Sequence, residues 1–286
     1  MSRMGDVLAG FHAAWEFGTD SVLIRYERGI RTPKLFQALG ERRVPLAAFA
    51  GVTLSPGKRG TVVLRAEPRA GADPLMEAAA GQLKDVHDPY RLVLPAEREA
   101  LAERYADELR ARIDDTGPAD RHLVAPPEAP LAFKAYDGKA SFDGTTVRFR
   151  WFWTGASTAK WKAGDQSFAV TELSGVEWRP DGHLRLLPRE PRELRDGTPA
   201  AVPADQDPAA VTFGLGYGPV HESLPFAAAV LGAVRDRSTA VPATVVPRRD
   251  PADIAERIRH LGELHQAGLV TDEEFSSKKA ALLAEL

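Results

Sequence analysis

The chain has 286 residues, of which 44% are hydrophobic and 27% are charged, and its formal net charge is −3. This length allows two domains of about 110–120 residues and a tail, each domain large enough to bury a core. The weak net charge excludes a global field that would attract nucleic acid or anionic lipid, so no nucleic-acid partner is expected and any basic site must be local. The absence of cysteine excludes disulfides, thiolate metal ligands and cysteine nucleophiles.

The N-terminal segment does not have the pattern of a signal peptide, because Asp6 and His12 interrupt its apolar residues. No stretch reaches the roughly 20 consecutive apolar residues that a membrane-spanning helix needs. The sequence therefore predicts a cytoplasmic protein with no transmembrane segment and with peripheral lipid contact at most.

Residues 6–113 have the pattern of a first module made mainly of strands. Val22, Ile24 and Tyr26 alternate with Leu23 and Arg25 as in a strand, and the runs that start at Val44 and Thr61 continue the strand pattern. A short helix is expected in the polar loop at residues 74–83, followed by a strand at residues 90–95. Residues 96–113 form an amphipathic pattern with an apolar residue every fourth position, and Glu108 is placed to pair with Arg112. The apolar positions are Leu101, Tyr105, Leu109 and Ile113.

Residues 114–130 are rich in proline and predict a semi-extended linker. The next segment, residues 131–235, repeats the first module without a gap over its opening strands. The matching pairs are Phe17 with Phe142, Val22 with Val147, Ile24 with Phe149, and Arg25 with Arg150. A strand is expected at VTFGLGYG, before a helix with Phe226 and Val230 on one face and Pro225 in its first turn. The chain therefore contains a tandem duplication.

Each repeat is expected to be a bent antiparallel sheet whose open end is closed by a C-terminal helix, in a mainly β (α+β) protein. This order resembles the pleckstrin-homology superfold. The GT-x-SVLI-RY opening from Gly18 and the VPL-x-x-F-x-G-V segment from Val44 are similar to the actinobacterial domain-of-unknown-function 4429 family. That resemblance implies two tandem pleckstrin-homology-like modules. The family has no settled activity, so the resemblance indicates a fold more than a function.

After a second linker at residues 236–249, residues 250–286 predict a helical hairpin. Asp250 and Pro251 start the first helix, Gly268 ends it, and Thr271–Glu274 has the pattern of a capping box. The segment resembles the SHOCT (short C-terminal) domain, and this implies oligomerisation or partner docking. A hairpin of this size cannot bury a core alone, so its apolar stripe must pack on a partner, a second copy or its own modules. The predicted docking residues are Leu261, Leu264, Leu269, Phe275, Leu282 and Leu283.

Basic residues concentrate in the first module between its third and fourth strands. They form a candidate anion-binding group, because arginine and lysine donate several hydrogen bonds to phosphate. The alternative, which we favour, is a solvated strand face beside Glu27 and Glu41. The members of this group are Arg25, Arg28, Arg31, Lys34, Arg42 and Arg43.

The second module has basic residues interleaved with aromatic ones near the same place. This mixture is typical of nucleic-acid or membrane interfaces, but alternating aromatics in a β module more often form core and cross-strand pairs, and we favour that interpretation. The residues are Arg148, Arg150, Lys160, Lys162, Trp151, Phe152, Trp153 and Trp161.

The sequence contains no recognisable catalytic or cofactor motif. GLGYG lies between a strand and a helix but lacks a parallel βαβ unit, and His260 and His265 are five residues apart without a metalloprotease context. We expect no metal and no cofactor. The leading hypothesis is a non-enzymatic adaptor that binds a protein partner or itself through residues 250–286. The alternatives are a peripheral membrane sensor that uses the basic group, and an enzyme with a cryptic site between the modules.

Overall fold

The computed structural model describes residues 6–189, 202–214 and 219–239. These residues form mostly β-strands, arranged in four small antiparallel sheets with short helices between them. The mainly β class predicted from the sequence is therefore confirmed. The predicted hairpin at residues 250–286, with all six of its docking residues, lies outside the described residues.

The first sheet of the first module has four strands in sequential order, β1–β2–β3–β4. Its interior face comes from the predicted alternation, since Val22, Ile24 and Tyr26 are buried. A short helix, α1 (Lys34–Leu39), separates β3 from β4 and was not predicted. The strands are β1 (Asp6–Ala9), β2 (Ala13–Phe17), β3 (Ser21–Tyr26) and β4 (Glu41–Pro45).

A three-stranded sheet, β5–β6–β7, completes the first module. A short 3₁₀ turn, Leu46–Ala48, carries the chain from β4 directly into β5. On the opposite side the Phe11 N–H donates to the Val93 carbonyl at 2.7 Å and links the two sheets. The elements are β5 (Phe49–Pro56), β6 (Thr61–Pro68), α2 (Pro74–Ala79), β7 (Arg91–Pro95) and α3 (Glu99–Arg110).

The C-terminal helix of the first module, α3, lies where the apolar spacing predicts. Tyr105 and Leu109 are buried in the module core, and the α-helix starts at Glu99 after a 3₁₀ turn. The predicted partner of Glu108 is wrong. Glu108 pairs with Arg104 at 3.3 Å, because Arg112 instead donates to the Gly18 carbonyl of the strand region beneath the helix.

The second module has the same element order, with sheets β8–β9–β10–β11 and β12–β13–β14. A short helix again separates the third and fourth strands. The last strand is shorter than the predicted VTFGLGYG, since it ends at Thr212. The elements are β8 (Leu131–Lys134), β9 (Gly138–Phe142), β10 (Thr146–Trp151), α4 (Thr158–Ala163), β11 (Gln166–Ala169), β12 (Leu173–Trp178), β13 (His183–Pro188), β14 (Ala210–Thr212) and α5 (Val220–Thr239).

The final helix, α5, belongs to the core of the second module and also contacts the first. Phe226, Val230 and Val234 are buried as predicted, and they share one apolar cluster with Leu75 and Leu35 of the first module. Pro225 lies inside the helix rather than in its first turn, since the helix begins at Val220. The predominance of alanine on its other face allows α5 to approach α2 closely, so it is more buried than α3.

The proline-rich segment predicted as a linker packs against both modules. The N–H groups of Leu123 and Val124 donate to the Ala72 carbonyl, and the Val124 side chain is buried. Further along, a Cβ placed on Gly232 of α5 would lie 2.8 Å from Pro126, so glycine is needed there for close packing. The described parts of both modules thus form one compact unit.

Candidate functional site

The exposed faces of the two four-stranded sheets occupy equivalent positions but carry different charges. In the first module, Arg25 lies across from Ala14 on β2 and Glu41 on β4. Its Nη1 donates to Glu16 Oε2 at 2.7 Å, and its Nε is 3.6 Å from Glu41 Oε2. This arginine therefore already has two carboxylate partners.

In the second module three cations occupy the same row. Lys139 on β9 pairs in register with Lys134 on β8 and with Arg150 on β10. All three side chains are exposed, and Arg150 has only a distant carboxylate, Asp165, at 3.9 Å. Neither lysine has a carboxylate within salt-bridge distance among the described residues. Like charges opposite one another weaken a sheet, so this row is an unneutralised cationic surface.

A shallow concavity of about 350 Å³ lies beside this row on the same sheet face. Its polar lining includes the hydroxyls of Ser141 and Ser167, which can donate to an anion. Arg148 also lines it but is bonded to Asp143 at 2.7 Å. The complete lining is Lys139, Ser141, Arg148, Phe149, Arg150, Asp165, Gln166 and Ser167.

Exposed aromatic side chains lie at the end of this face. Trp153 is 79% exposed, Trp161 is 49% exposed and Tyr136 is 61% exposed. The two indole rings meet edge to face with centroids 5.2 Å apart. A Cβ on Gly155 of the loop after β10 would overlap the Tyr136 carbonyl, so this loop and the β8–β9 turn are adjacent. The sequence interpretation as core holds for Trp151, which is buried, but not for Trp153 and Trp161.

The six basic residues predicted in the first module do not converge on one point. Arg28, Arg31 and Lys34 are exposed on the β3–α1 loop and the start of α1. Arg43 is exposed on β4 and donates to Ser21 Oγ at 3.0 Å, whereas Arg25 has the two glutamate partners described above. Arg42 turns inward, and this removes it from the exposed set.

Arg42 forms the centre of a buried network in the first module. It donates two hydrogen bonds to Asp73, at 2.9 and 2.7 Å, and the Tyr90 hydroxyl donates to the same carboxylate at 2.7 Å. Burial alone would raise the pKa of Asp73, but Arg42, Tyr90 and the Leu75 N–H together hold it below its ordinary value. Burial and the Asp73 charge raise the pKa of Tyr90 well above its ordinary value. The network thus keeps Asp73 ionised and Tyr90 neutral.

The second module has its own buried ion pair in a different place. Lys160 of α4 is fully buried and donates to Asp137 Oδ2 at 2.5 Å, and the Thr212 N–H donates to Asp137 Oδ1 at 2.9 Å. Burial lowers the pKa of Lys160, and Asp137 offsets part of this effect. The third residue of α1, equivalent to Lys160, is the buried Phe36. Each module therefore joins its two sheets with a different polar contact.

A half-open cleft of about 530 Å³ lies between the modules. Its charged wall combines Glu41 and Arg43 from β4 with Glu128, His221 and Glu222. The side chains that line it include no hydroxyl, thiol or amine among the described residues. This lining can hold a polar ligand, but it does not pair a nucleophile with a base.

A family model described as a domain of unknown function, DUF4429, matches residues 15–110 and 140–231. These two regions together cover more than half of the chain. The chain belongs to the DUF4429 family. A search of the curated proteins found no match.

In this DUF4429 chain the family match covers the two repeats separately, which confirms the tandem organisation. Among the residues that the structure describes, no helix is long and apolar enough to cross a membrane, and no cluster of three or more His, Asp or Glu side chains could hold a metal ion. The family model assigns no activity, so the function must be argued from the surfaces.

Sequence reasoning missed Tyr136, Lys134 and Lys139. Their signal was present in the duplication, because the spacing that matches Arg25 with Arg150 also matches Ala14 with Lys139 and Ala9 with Lys134. Reading that alignment as a sheet register, with β8 paired to β9, would have placed three cations side by side.

Proposed function

We propose that this DUF4429 protein is a non-enzymatic, cytoplasmic adaptor. Its two repeats are pleckstrin-homology-like modules that form one rigid platform, and a SHOCT-like hairpin at residues 250–286 mediates oligomerisation or docks on a partner.

The repeated element order supports the proposed kinship of the modules. Each has four antiparallel strands, then three, then one helix that packs into the core. This order resembles that of the pleckstrin-homology superfold. A small two-sheet module leaves one end of its core open, and burying an apolar helix face there removes it from water.

The observation that carries the proposal is the use of buried charge. Arg42 with Asp73, and Lys160 with Asp137, are the buried ion pairs of the described residues, and each is satisfied by hydrogen bonds inside its own module. Arg42 is among the residues that line the inter-module cleft, but its guanidinium donates both of its hydrogen bonds to Asp73. Each pair joins distant elements of its own module and is fully occupied by that contact, so the proposal assigns recognition to the surface.

The sequence of the tail supports the docking role. Six large apolar residues recur along a segment too short to bury them by itself. Each apolar side chain gains about 1.5–3 kcal/mol when it leaves water, so the hairpin is more stable against another surface than alone.

The proposed docking role is tested by comparing the full chain with a chain that lacks residues 250–286 and with the double variant Leu264→Asp, Phe275→Asp. Light-scattering mass and a thermal melt are measured for each. The matched control is Ser276→Asp, Ser277→Asp, which adds the same charge at polar positions of the same hairpin. We expect the mass to fall in the first two variants only, with the platform melt unchanged.

Two other results would contradict self-association. An unchanged mass with a sharply lowered melt means that the hairpin packs on its own modules. If the full chain is monomeric at all concentrations, self-association is excluded and docking on a different protein remains. Binding of the same variants to that protein is then measured.

The enzyme hypothesis has weaker support, because the inter-module cleft lacks a nucleophile–base pair among its lining residues. The membrane hypothesis, in its original form through the first module, is also weakened. Arg25 is neutralised by two glutamates and Arg42 is buried. Four exposed members remain, which are Arg28 and Arg31 on the β3–α1 loop, Lys34 at the start of α1, and Arg43 on β4.

A further inference from the structure

The face of β8–β9–β10 combines two features. It has three cations in one register row, and beside the row it exposes two tryptophans and a tyrosine. Tryptophan in particular is costly to leave in water, since it carries a large apolar area. The cations repel one another across the strands, and both tryptophans stay at least 49% exposed although their rings are in contact.

We infer that this face of the second module, defined by Lys134, Lys139, Arg150, Tyr136, Trp153 and Trp161, binds an anionic lipid membrane. This inference does not rest on the docking role proposed for the tail. It assigns a site in the second module. The lipid-binding candidate taken from the sequence was the basic group of the first module, and the aromatic residues of the second were expected to form core and cross-strand pairs.

The charge of the face favours an anionic surface. Lys134 and Lys139 have no carboxylate partner among the described residues, and Arg150 keeps its only one at 3.9 Å. The adjacent concavity adds two serine hydroxyls, which can donate to headgroup phosphates. Asp165 and Asp143 also belong to this neighbourhood, but Asp143 is occupied by Arg148. The uncompensated charge is thus positive, and it is spread over the sheet face.

The aromatic residues favour a bilayer over a nucleic acid. Tryptophan and tyrosine combine an apolar ring with a polar N–H or O–H, which suits the boundary between headgroups and acyl chains. Trp153 lies in the loop after β10 and Tyr136 in the turn after β8, so both protrude beyond the strands. The Trp153–Trp161 pair is perpendicular and does not present the parallel platform on which successive bases stack.

The charges of the face allow an estimate of how strongly a substitution should change partitioning of the protein onto an anionic membrane. Each lysine or arginine near an anionic leaflet contributes about 1 kcal/mol, which is roughly a fivefold change in partition. Reversing one lysine changes the local charge by two, so a loss of about 25-fold is expected for Lys139→Glu at low salt. The binding should weaken as salt is raised, because exposed charges are screened.

The experiment uses the full chain and vesicles of phosphatidylcholine with or without phosphatidylserine, in a sedimentation assay. The key variant is Lys139→Glu. Its matched control is Arg28→Glu, which makes the same charge change at an exposed position of the first module. A third variant, Trp153→Ala, removes the most exposed ring. A thermal melt of each variant verifies that it is folded.

We expect binding that requires phosphatidylserine, falls about 25-fold in Lys139→Glu, falls roughly tenfold in Trp153→Ala and stays within twofold in Arg28→Glu. Three results would overturn the inference. One is no phosphatidylserine-dependent binding of the unaltered chain. Another is an equal loss in Arg28→Glu. The third is tighter, Lys139-dependent binding to a single-stranded oligonucleotide than to vesicles, which would make the face a nucleic-acid site.

Discussion

The two modules share a strand order but differ in what they expose and what they bury. The first keeps Arg25 between Glu16 and Glu41 on its sheet face. At the position equivalent to Lys160 it has the buried Phe36. The second exposes Lys134, Lys139 and Arg150 without close partners. A duplicated fold can thus retain its backbone while one copy keeps a neutral face and the other acquires a charged one.

The polar cores differ in the same way. In the first module Arg42 on β4 reaches Asp73 before α2, whereas in the second Lys160 on α4 reaches Asp137 in the β8–β9 turn. Both pairs join elements that are far apart in sequence. The two pairs are not at equivalent positions, so each can be tested by its own substitution.

The largest effect is expected for Asp137→Asn. The change leaves the fully buried Lys160 ammonium without its counter-charge and costs about 3–5 kcal/mol of unfolding free energy. The amide oxygen can still accept from the Thr212 N–H, so the loss reports the ion pair. Denaturant unfolding measures it.

The matched rescue adds Lys160→Met to Asp137→Asn. The first module fills the equivalent position with the apolar Phe36, so the double variant should recover most of the lost stability. A double variant as unstable as Asp137→Asn would show that the ammonium is needed for something other than its pairing.

A second prediction concerns acid stability through Asp73. Its pKa is lowered in the folded state from an ordinary value of 3.8, so the unfolded chain binds more protons between the two pKa values. This contribution to stability is therefore complete above pH 3.8 and is lost as the pH falls through the folded-state pKa. Each unit by which folding lowers the pKa contributes about 1.4 kcal/mol. Melts at decreasing pH measure it.

The control for this pH dependence is Asp73→Asn, which removes the titrating group. The variant should be less stable at neutral pH, since Arg42 is left buried without a counter-charge, but its stability should fall less steeply in acid. An identical acid slope in the variant would mean that other carboxylates cause the loss.

The smallest effect is a gain of stability in Lys139→Glu. The new carboxylate would lie opposite Lys134 and Arg150 and replace two repulsive cross-strand pairs with attractive ones, which is worth about 0.2–1 kcal/mol for each pair. Lys139→Gln should give an intermediate melt. A destabilised Lys139→Glu would indicate that the lysine has a structural role, and it would weaken the argument that the cationic row exists for binding.

The sequence predicted the parts of the fold that depend on periodicity and duplication. The strand alternation around Ile24, the apolar spacing of α3 and the buried stripe of α5 were all readable, because burial of one face imposes a regular spacing. Helices α1 and α4 were missed since six residues are too few to show a helical period. Pro225 was expected in the first turn of α5 but lies inside the helix, because α5 begins earlier in the sequence than expected, at Val220.

The candidate site was much less predictable. Arg42 and Arg25 look alike in the sequence, yet one is buried against Asp73 and the other lies between two glutamates. Which partner a charged side chain contacts depends on how distant segments pack. Asp73 is separated from Arg42 in the sequence by β5 and β6. The tryptophans had the same ambiguity, since Trp151 is the last residue of β10 and is buried, whereas Trp153, two residues later, lies in the following loop and is exposed.

The claim that the second module carries the binding face is tested most directly by amide hydrogen exchange of the full chain, with and without phosphatidylserine vesicles. The account predicts slower exchange at residues 152–164, in the loop after β10 and in α4, and unchanged exchange at the equivalent residues 27–40 of the first module. Protection confined to residues 27–40, or equal in both modules, would contradict it.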